Sequence, residues 1–443
     1  MATVLISSKP RSPMLDVIGQ RNFRLLWIGQ GTSLLGDQFA LIALPWLVLQ
    51  LTGDPLALGI VLALTGIPRA IFMLVGGAVA DRFSHRTVML ITDLVRLVLT
   101  ALLTFMVLTG ATQLWTLYVF ALAIGTASGF FIPASNAILP TLVKSQELAA
   151  GNSIFQGTAQ LSQFIGPSLA GGAIAWFAHR LGSSVAGSSG LQGVALALGI
   201  DALTFAVSVV TLWLMSSRKP NPAKAEAAAP EKMADAIRSG VKYLWDDPLL
   251  RLMFILIAAA NFFFSGPLLV GIPVLANTRL LEGAMAFGMI MSAYAAGNLV
   301  GILAAGALPK LDGARMRLFV VGLFAAFGLA LASFGLLTNT WLAAGIILLT
   351  GVGNGYLAIT MITALQRRTP VAMLGRLMSL VMVASYGLMP LSQALSGALS
   401  KWSLDMLFFL SGAAMVLLAA WSAFQPEMRN VGEILLVAQP AGD

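Results

Sequence analysis

The chain has no cysteine, which excludes disulfides, thiolate metal sites and thiol nucleophiles. It has only two histidines, His85 and His179, both near the ends of apolar runs, so a histidine-rich metal site on a helix is excluded as well. The P-loop pattern G-x-x-x-x-G-K-[ST] is missing, which argues against ATP as an energy source. Together these absences leave little room for an enzyme. Charge is scarce too: 10% of the 443 residues are Asp, Glu, Lys or Arg, whereas soluble domains carry about 25%.

What remains is apolar. Hydrophobic residues make up 58% of the chain and mean hydropathy is +0.88, more than a soluble globule can bury. Apolar runs of the length needed to cross a hydrocarbon core, roughly 20 helical residues, recur at 23–50, 57–80, 88–108, 114–138, 152–178, 192–215, 250–276, 284–308, 316–337, 341–363, 377–400 and 403–424. Backbone groups in lipid must bond within their own segment, and the alternating pattern of a membrane barrel is absent, so the runs predict helices. The expected fold class is an all-α membrane protein with twelve transmembrane helices. The first 22 residues carry Lys9, Arg11 and Arg21 among polar residues and do not read as a cleavable signal.

The net charge of +8 is mostly positional. With both termini on one side, only Arg180, Arg279 and Lys401 of the 26 Lys and Arg fall on the other side, and Arg69 and Arg96 fall within spans. The positive-inside rule then places both termini in the cytoplasm, in a plasma (inner) membrane. The basic balance needs no nucleic acid to explain it, and the expected partners are the lipid bilayer and a small-molecule substrate, with the chain working as a monomer.

The one long polar interior segment, Ser216 to Pro248, divides the chain six plus six. Its first half is rich in Pro, Ala and Lys and reads as a linker. Its second half aligns Met233, Ile237, Val241 and Leu244 on one face, which predicts an amphipathic helix on the membrane surface. The expected units are therefore an N-terminal segment 1–22, halves at 23–215 and 250–424, the linker 216–249 and a tail 425–443. The stretch GGAVADRFSHR, Gly76 to Arg86, has a counterpart 229 residues on. Gly306 aligns with Gly77, Lys310 with Asp81, Gly313 with Ser84 and Arg315 with Arg86. A parallel repeat of six-helix halves is the signature of a transporter architecture that binds substrate between its halves.

On these residues the chain resembles the major facilitator superfamily. The stretch from Gly77 through Asp81, Arg82 and Arg86 is similar to its loop signature G-x-x-x-D-R-x-G-R/K-R/K, with Ser84 and His85 departing from it. The stretches at 21–53, 133–154 and 365–380 are similar to the drug:proton antiporter branch with macrolide efflux proteins and the enterobactin exporter. The resemblance implies that Asp81 faces the N-terminal end of the eleventh helix, where unpaired N–H groups favour an anion. Arg82 and Arg86 would pair with nearby carboxylates or carbonyls as a cytoplasmic gate. It also implies an antiporter-like motif on the fifth helix, here Gly166, Pro167 and Gly171 with Ser162 and Ala170 in place of glycines. Asp93 and Arg96, three apart on one face, are expected to pair near the cytoplasmic end of the third span.

Intramembrane charges are functional hypotheses by default, at a cost of about 2.5–3.5 kcal/mol or more each. Asp37, Arg69 and Asp201 qualify. Asp37 and Arg69 each lie about 20 Å along their helices at roughly 1.5 Å per residue. Asp37 is the leading candidate to carry a coupling proton, and a static Asp37–Arg69 pair is the alternative. Asp201 either lines the cavity or bonds a neighbouring helix. The fourth span lacks the arginine common in the family's proton antiporters. Gln156, Gln160 and Gln163 form a stripe on the fifth helix. With Trp46, Phe131, Asn298, Asn354 and Tyr386 they are candidate cavity residues for a wide, mostly apolar site. The function implied is secondary export of hydrophobic or amphiphilic small molecules with no cofactor and the proton as coupling ion. Alternatives are a dedicated exporter of one metabolite, such as a siderophore, or a non-transporting receptor on the same scaffold.

Overall fold

A computed structural model describes residues 13–180, 188–216, 233–308 and 313–429. No strand occurs among them. A short helix α1 (Pro13–Gly19) precedes the first half, which comprises α2 (Arg21–Thr52), α3 (Pro55–Arg82), α4 (His85–Leu108), α5 (Leu114–Leu142), α6 (Leu148–Arg180) and α7 (Ser188–Leu214). The linker contributes α8 (Met233–Asp246). The seventh span joins α9 (Pro248–Gly266) to α10 (Ile272–Arg279) through a π-helical turn at Pro267–Gly271. Then come α11 (Ala284–Ala307), α12 (Gly313–Phe334) and α13 (Thr340–Arg368). The eleventh span joins α14 (Val371–Met382) to α15 (Met389–Trp402) through a second π turn at Val383–Gly387, and α16 (Leu404–Ala423) closes the set.

Eleven of these spans are long and apolar enough to cross a membrane by composition alone. The twelfth is α6, 33 residues long, whose Asn152, Gln156, Gln160 and Gln163 lower its hydropathy. Both halves are thus six-helix units. The chain turns sharply where φ is positive: Gly53 (φ 62) ends α2 in the left-handed region that favours glycine. Asp54 then caps α3 by accepting from the Leu56 N–H at 2.9 Å.

Arg21, Arg24, Arg86, Lys144, Arg251, Arg317, Arg368 and Arg376 all sit at helix ends on one side, here the basic end. Arginines close helix termini there. Arg86 donates to the Leu212 and Trp213 carbonyls (2.6 and 2.7 Å) and Arg21 to that of Leu214 (3.3 Å), where α7 leaves carbonyls unbonded. In the second half Arg317 donates to Ala423 at the end of α16. Lys310 lies outside the described residues, as do the first part of the linker and the distal tail.

Helix α8 does not simply rest on a bilayer. It packs against α14 and α9, with Arg376 donating to Ser239 Oγ at 2.7 Å and Gly240 against the Arg376 stem. Leu244 is buried in that contact while Val241 and Trp245 stay exposed. Asp247 caps α9 and pairs with Arg368 at 2.9 Å.

The halves meet at the end opposite the basic one, along two seams. In the first, Gly171 of α6 lies against Ala284 and Gly288 of α11, and Gly288 lies against the Pro167 carbonyl. In the second, Gly397 of α15 lies against Pro55 and Gly59 of α3, and Gly59 lies against the Gln393 carbonyl. The contacts match position for position: 284 and 288 oppose 171, and 55 and 59 oppose 397. This is a pseudo-twofold axis read at single residues. Polar contacts across the halves lie at the same end, including Gln50–Asn277 (2.8 Å), Ser168 N–Ser292 Oγ (3.0 Å) and Asp54–Lys401 (2.8 Å).

Candidate functional site

Four helices meet around a charged cluster in the middle of the first half. Glycines on α2 let α7 close in: a Cβ on Gly36 would lie 2.7 Å from Asp201 Oδ1, and one on Gly29 would lie 3.3 Å from the Ser208 Cα. Helix α4 brings Asp93 and Arg96, α5 brings Ser128 and Phe131, and α7 brings Asp201, Phe205 and Ser208.

Arg96 is the hub. Its Nη2 lies 3.5 Å from Asp37 Oδ1 and donates to Ser128 Oγ at 3.1 Å, and its Nη1 lies 3.6 Å from Asp93 Oδ1. The guanidinium carbon stands 5.1 Å from the centroid of Phe131 and 4.7 Å from that of Phe205, so two rings sandwich the cation. Asp93 is fully buried and takes a 2.6 Å hydrogen bond from Ser208. Asp201 is 2% exposed, and its Oδ1 has no hydrogen-bond partner.

Two expectations are corrected. Asp37 does not form an ion pair with Arg69; its partner is Arg96, whose guanidinium reaches between α2 and α5 to Asp37 and Ser128. Nor do Asp93 and Arg96 lie near the helix end. They are about 12 and 17 Å from its His85 terminus at roughly 1.5 Å per residue, where Asp37 and Ser208 reach them.

Asp37 also faces a cavity of about 340 Å³ in the basic half of the bundle, its side chain 40% exposed. Gln30, Ser33, Phe131, Ser135, Asn136, Asn152, Phe155 and Gln156 line it with Leu34, Leu139 and Ala159. The lining is far more polar than the mostly apolar site expected. Phe131 and Gln156 are in it, while Gln160 and Gln163 are not among its lining residues. Trp46 is elsewhere: about 37 Å along α2 at roughly 1.5 Å per residue, it is buried against Gly283 at the far seam. Asn298 and Asn354 are half-buried in the seam where Gly297, Gly351 and Gly355 let α11 and α13 touch. Tyr386 projects from the second π turn, 52% exposed.

The polar lining was legible in part. Gln30, Ser33 and Asp37 are spaced by three and four on one face of α2, as are Asn152 and Gln156 on α6. Of the loop signature, α3 ends at Arg82, and the side chains of Gly77, Asp81 and Arg82 lie outside the described residues. Arg86 pairs with carbonyls of its own half. On α6, Gly166 lies against Gln38 and the Pro167–Gly171 stretch forms the first seam. The closeness that small residues permit is used between the halves.

At the far end, burial disfavours ionisation of Asp54, but Lys401 and the Leu56 N–H outweigh it and hold its carboxyl below the usual range. A lowered carboxylate contributes closure that is full above its ordinary value, about 3.9, and is lost as pH falls through the lowered one. With Lys401 55% exposed the contribution is at most about 1 kcal/mol. Spin labels at Leu108 and Leu281, exposed on opposite halves at this end, are expected to keep their distance distribution from pH 7 to 5 and broaden outward only below the ordinary carboxylate value, about 3.9. Asp54→Asn is expected to broaden it at pH 7.

Residues 26–393 match the Major Facilitator Superfamily, and the chain belongs to that family. It is 23% identical over 433 residues to the multidrug efflux pump Tap of Mycolicibacterium fortuitum, covering 96% of this chain and 98% of that one. It is 27% identical over 381 residues to the enterobactin exporter EntS of Citrobacter koseri, covering 80% and 79%. Among solved structures, the nucleoside transporter NupG superposes with a TM-score of 0.70 at 14% identity, over 91% of this chain and all of that one. A bacterial homologue of the iron transporter ferroportin, in an inward-facing state, superposes with a TM-score of 0.67 at 18% identity, over 91% and 99%. The protein is a multi-pass membrane transporter and not an enzyme.

Proposed function

We propose that this transporter exports amphiphilic small molecules in exchange for protons, with its basic end in the cytoplasm of a plasma (inner) membrane. The observation that carries the reading is Asp37: a mid-membrane carboxylate, 40% exposed to a cavity on the basic side and ion-paired to a buried arginine. A far end sealed by two glycine seams and a cavity on the basic side suit a state that loads cargo from the cytoplasm. A proton on Asp37 weakens its hold on Arg96, and Arg96 then turns to Asp93. Deprotonation reverses this, so cavity access and charge state are linked through one guanidinium. The names of the relatives, a multidrug efflux pump and an enterobactin exporter, agree with export.

The test is uptake of a lipophilic dye into everted vesicles energised by a proton gradient. Uptake is expected to collapse with a protonophore. Asp37→Asn is expected to cut gradient-driven uptake by at least about tenfold, the factor that 1.4 kcal/mol represents, with normal thermal unfolding. Undiminished uptake by that variant would refute the assignment.

A further inference from the structure

Arg69 is the second intramembrane cation, and the hub does not use it. It is the fifteenth of the 28 residues of α3, about 20 Å from either end at roughly 1.5 Å per residue. This depth is out of reach of lipid headgroups. Its guanidinium offers five N–H donors, yet among the described residues it makes no hydrogen bond and no ion pair. Asp37 and Arg96 are electrostatic neighbours, but their charges are engaged with each other and with Asp93. The remaining neighbour comes from the other half: Tyr386, half-exposed on the π turn at Val383–Gly387. Such turns are frequent at functional sites. Gly66, three residues before Arg69, lies against Pro390, four residues after Tyr386, and α3 runs antiparallel to α15 and touches the π turn, so this packing sets Arg69 beside Tyr386 across the interface between halves, at the depth where this architecture binds its cargo.

We propose that Arg69 and Tyr386 form an oxyanion subsite, and that the cargo is an amphiphile whose head is a carboxylate or a comparable oxyanion. The inference rests on the transport reading above and narrows it. A carboxylate accepts two parallel N–H bonds from the guanidinium fork and a third from the Tyr386 hydroxyl. Rocking the halves apart separates the two residues, because they belong to different halves, so the head is held in one state and released in the other.

The test uses the full chain in nanodiscs with two fluorescent probes on the same body: 11-(dansylamino)undecanoic acid and its neutral primary amide. The acid is expected to bind about tenfold tighter than the amide, the size of one charge-assisted hydrogen-bonded pair. Arg69→Gln is expected to erase that preference, lowering the affinity for the acid much more than that for the amide. Arg69→Lys should keep part of it, and Tyr386→Phe should weaken acid binding a few-fold. Equal affinities in the unsubstituted protein, or a preference that survives Arg69→Gln, would overturn the subsite. If Arg69→Gln does not fold, the probe comparison in the unsubstituted protein and in Tyr386→Phe decides. Vesicle flux separates the two readings. Flux of the amide without any acid preference overturns the subsite alone, whereas binding preference with no flux of either probe overturns the exporter and this cargo with it.

Discussion

Replacing Arg96 with methionine is expected to lower the unfolding free energy by about 3–5 kcal/mol, the usual result of removing one partner from a buried ion pair, and to abolish coupled flux. Asp93 would keep only its Ser208 hydroxyl as a partner, in a position with no exposure. Asp37 would lose its ion pair, and Phe131 and Phe205 the cation between their rings. Methionine fills similar volume, so the loss is one of charge and not of packing. The companion substitution separates these terms: Arg96→Met with Asp93→Asn removes the stranded carboxylate and is expected to recover a large part of the stability but none of the coupling. Thermal unfolding of the purified protein measures the first, and dye uptake in vesicles the second. A single variant that melts within about 1 kcal/mol of the parent, the range of surface pairs, would mean the cluster is wet and loosely held.

That hub also shows where sequence stops informing. Helices are legible because lipid enforces length and apolarity one segment at a time, and even the polar α6 was found by its run at 152–178. The six-plus-six division was legible in the linker at 216–248 and in the repeated turn. Asp37 and Asp201 announced themselves by depth alone. The company they keep did not, since Arg96 and Asp93 three residues apart look self-sufficient. Only the approach of α2 and α5 turns that local pair into a junction of Asp37, Asp93 and Ser128. Asp37 could as well have met Arg69, and no spacing within one helix decides between partners on two others. Trp46 is a different kind of miss. Counting residues from Arg21 places it beyond the membrane centre, and arithmetic would have removed it from the cavity.

The far-end seams supply the second large effect. A Cβ on Gly288 collides with the carbonyl of Pro167, and one on Gly59 would lie 2.6 Å from that of Gln393. Backbone cannot step aside as a side chain does, so Gly288→Val forces α11 from α6 and costs this state about 1–3 kcal/mol, the range for overpacking. The open-far-end state, minor in the parent, then grows by about fivefold or more. The absence of cysteine makes the readout clean: a single cysteine at Ala284, 4% exposed in the seam, is expected to react slowly with a polar maleimide in the parent and at least about fivefold faster in Gly288→Val. Gly172, one residue beyond the seam glycine, has open space where a Cβ would go, and Gly172→Val is expected to leave the labelling rate alone. Because the pseudo-twofold axis pairs Gly288 with Gly59, Gly59→Val should open the same end from the opposite seam. Equal labelling in both valine variants and in the control would mean that the halves part about some other contact. Agreement of the two seams against the control would identify them as the paired gate that parts as the transporter rocks.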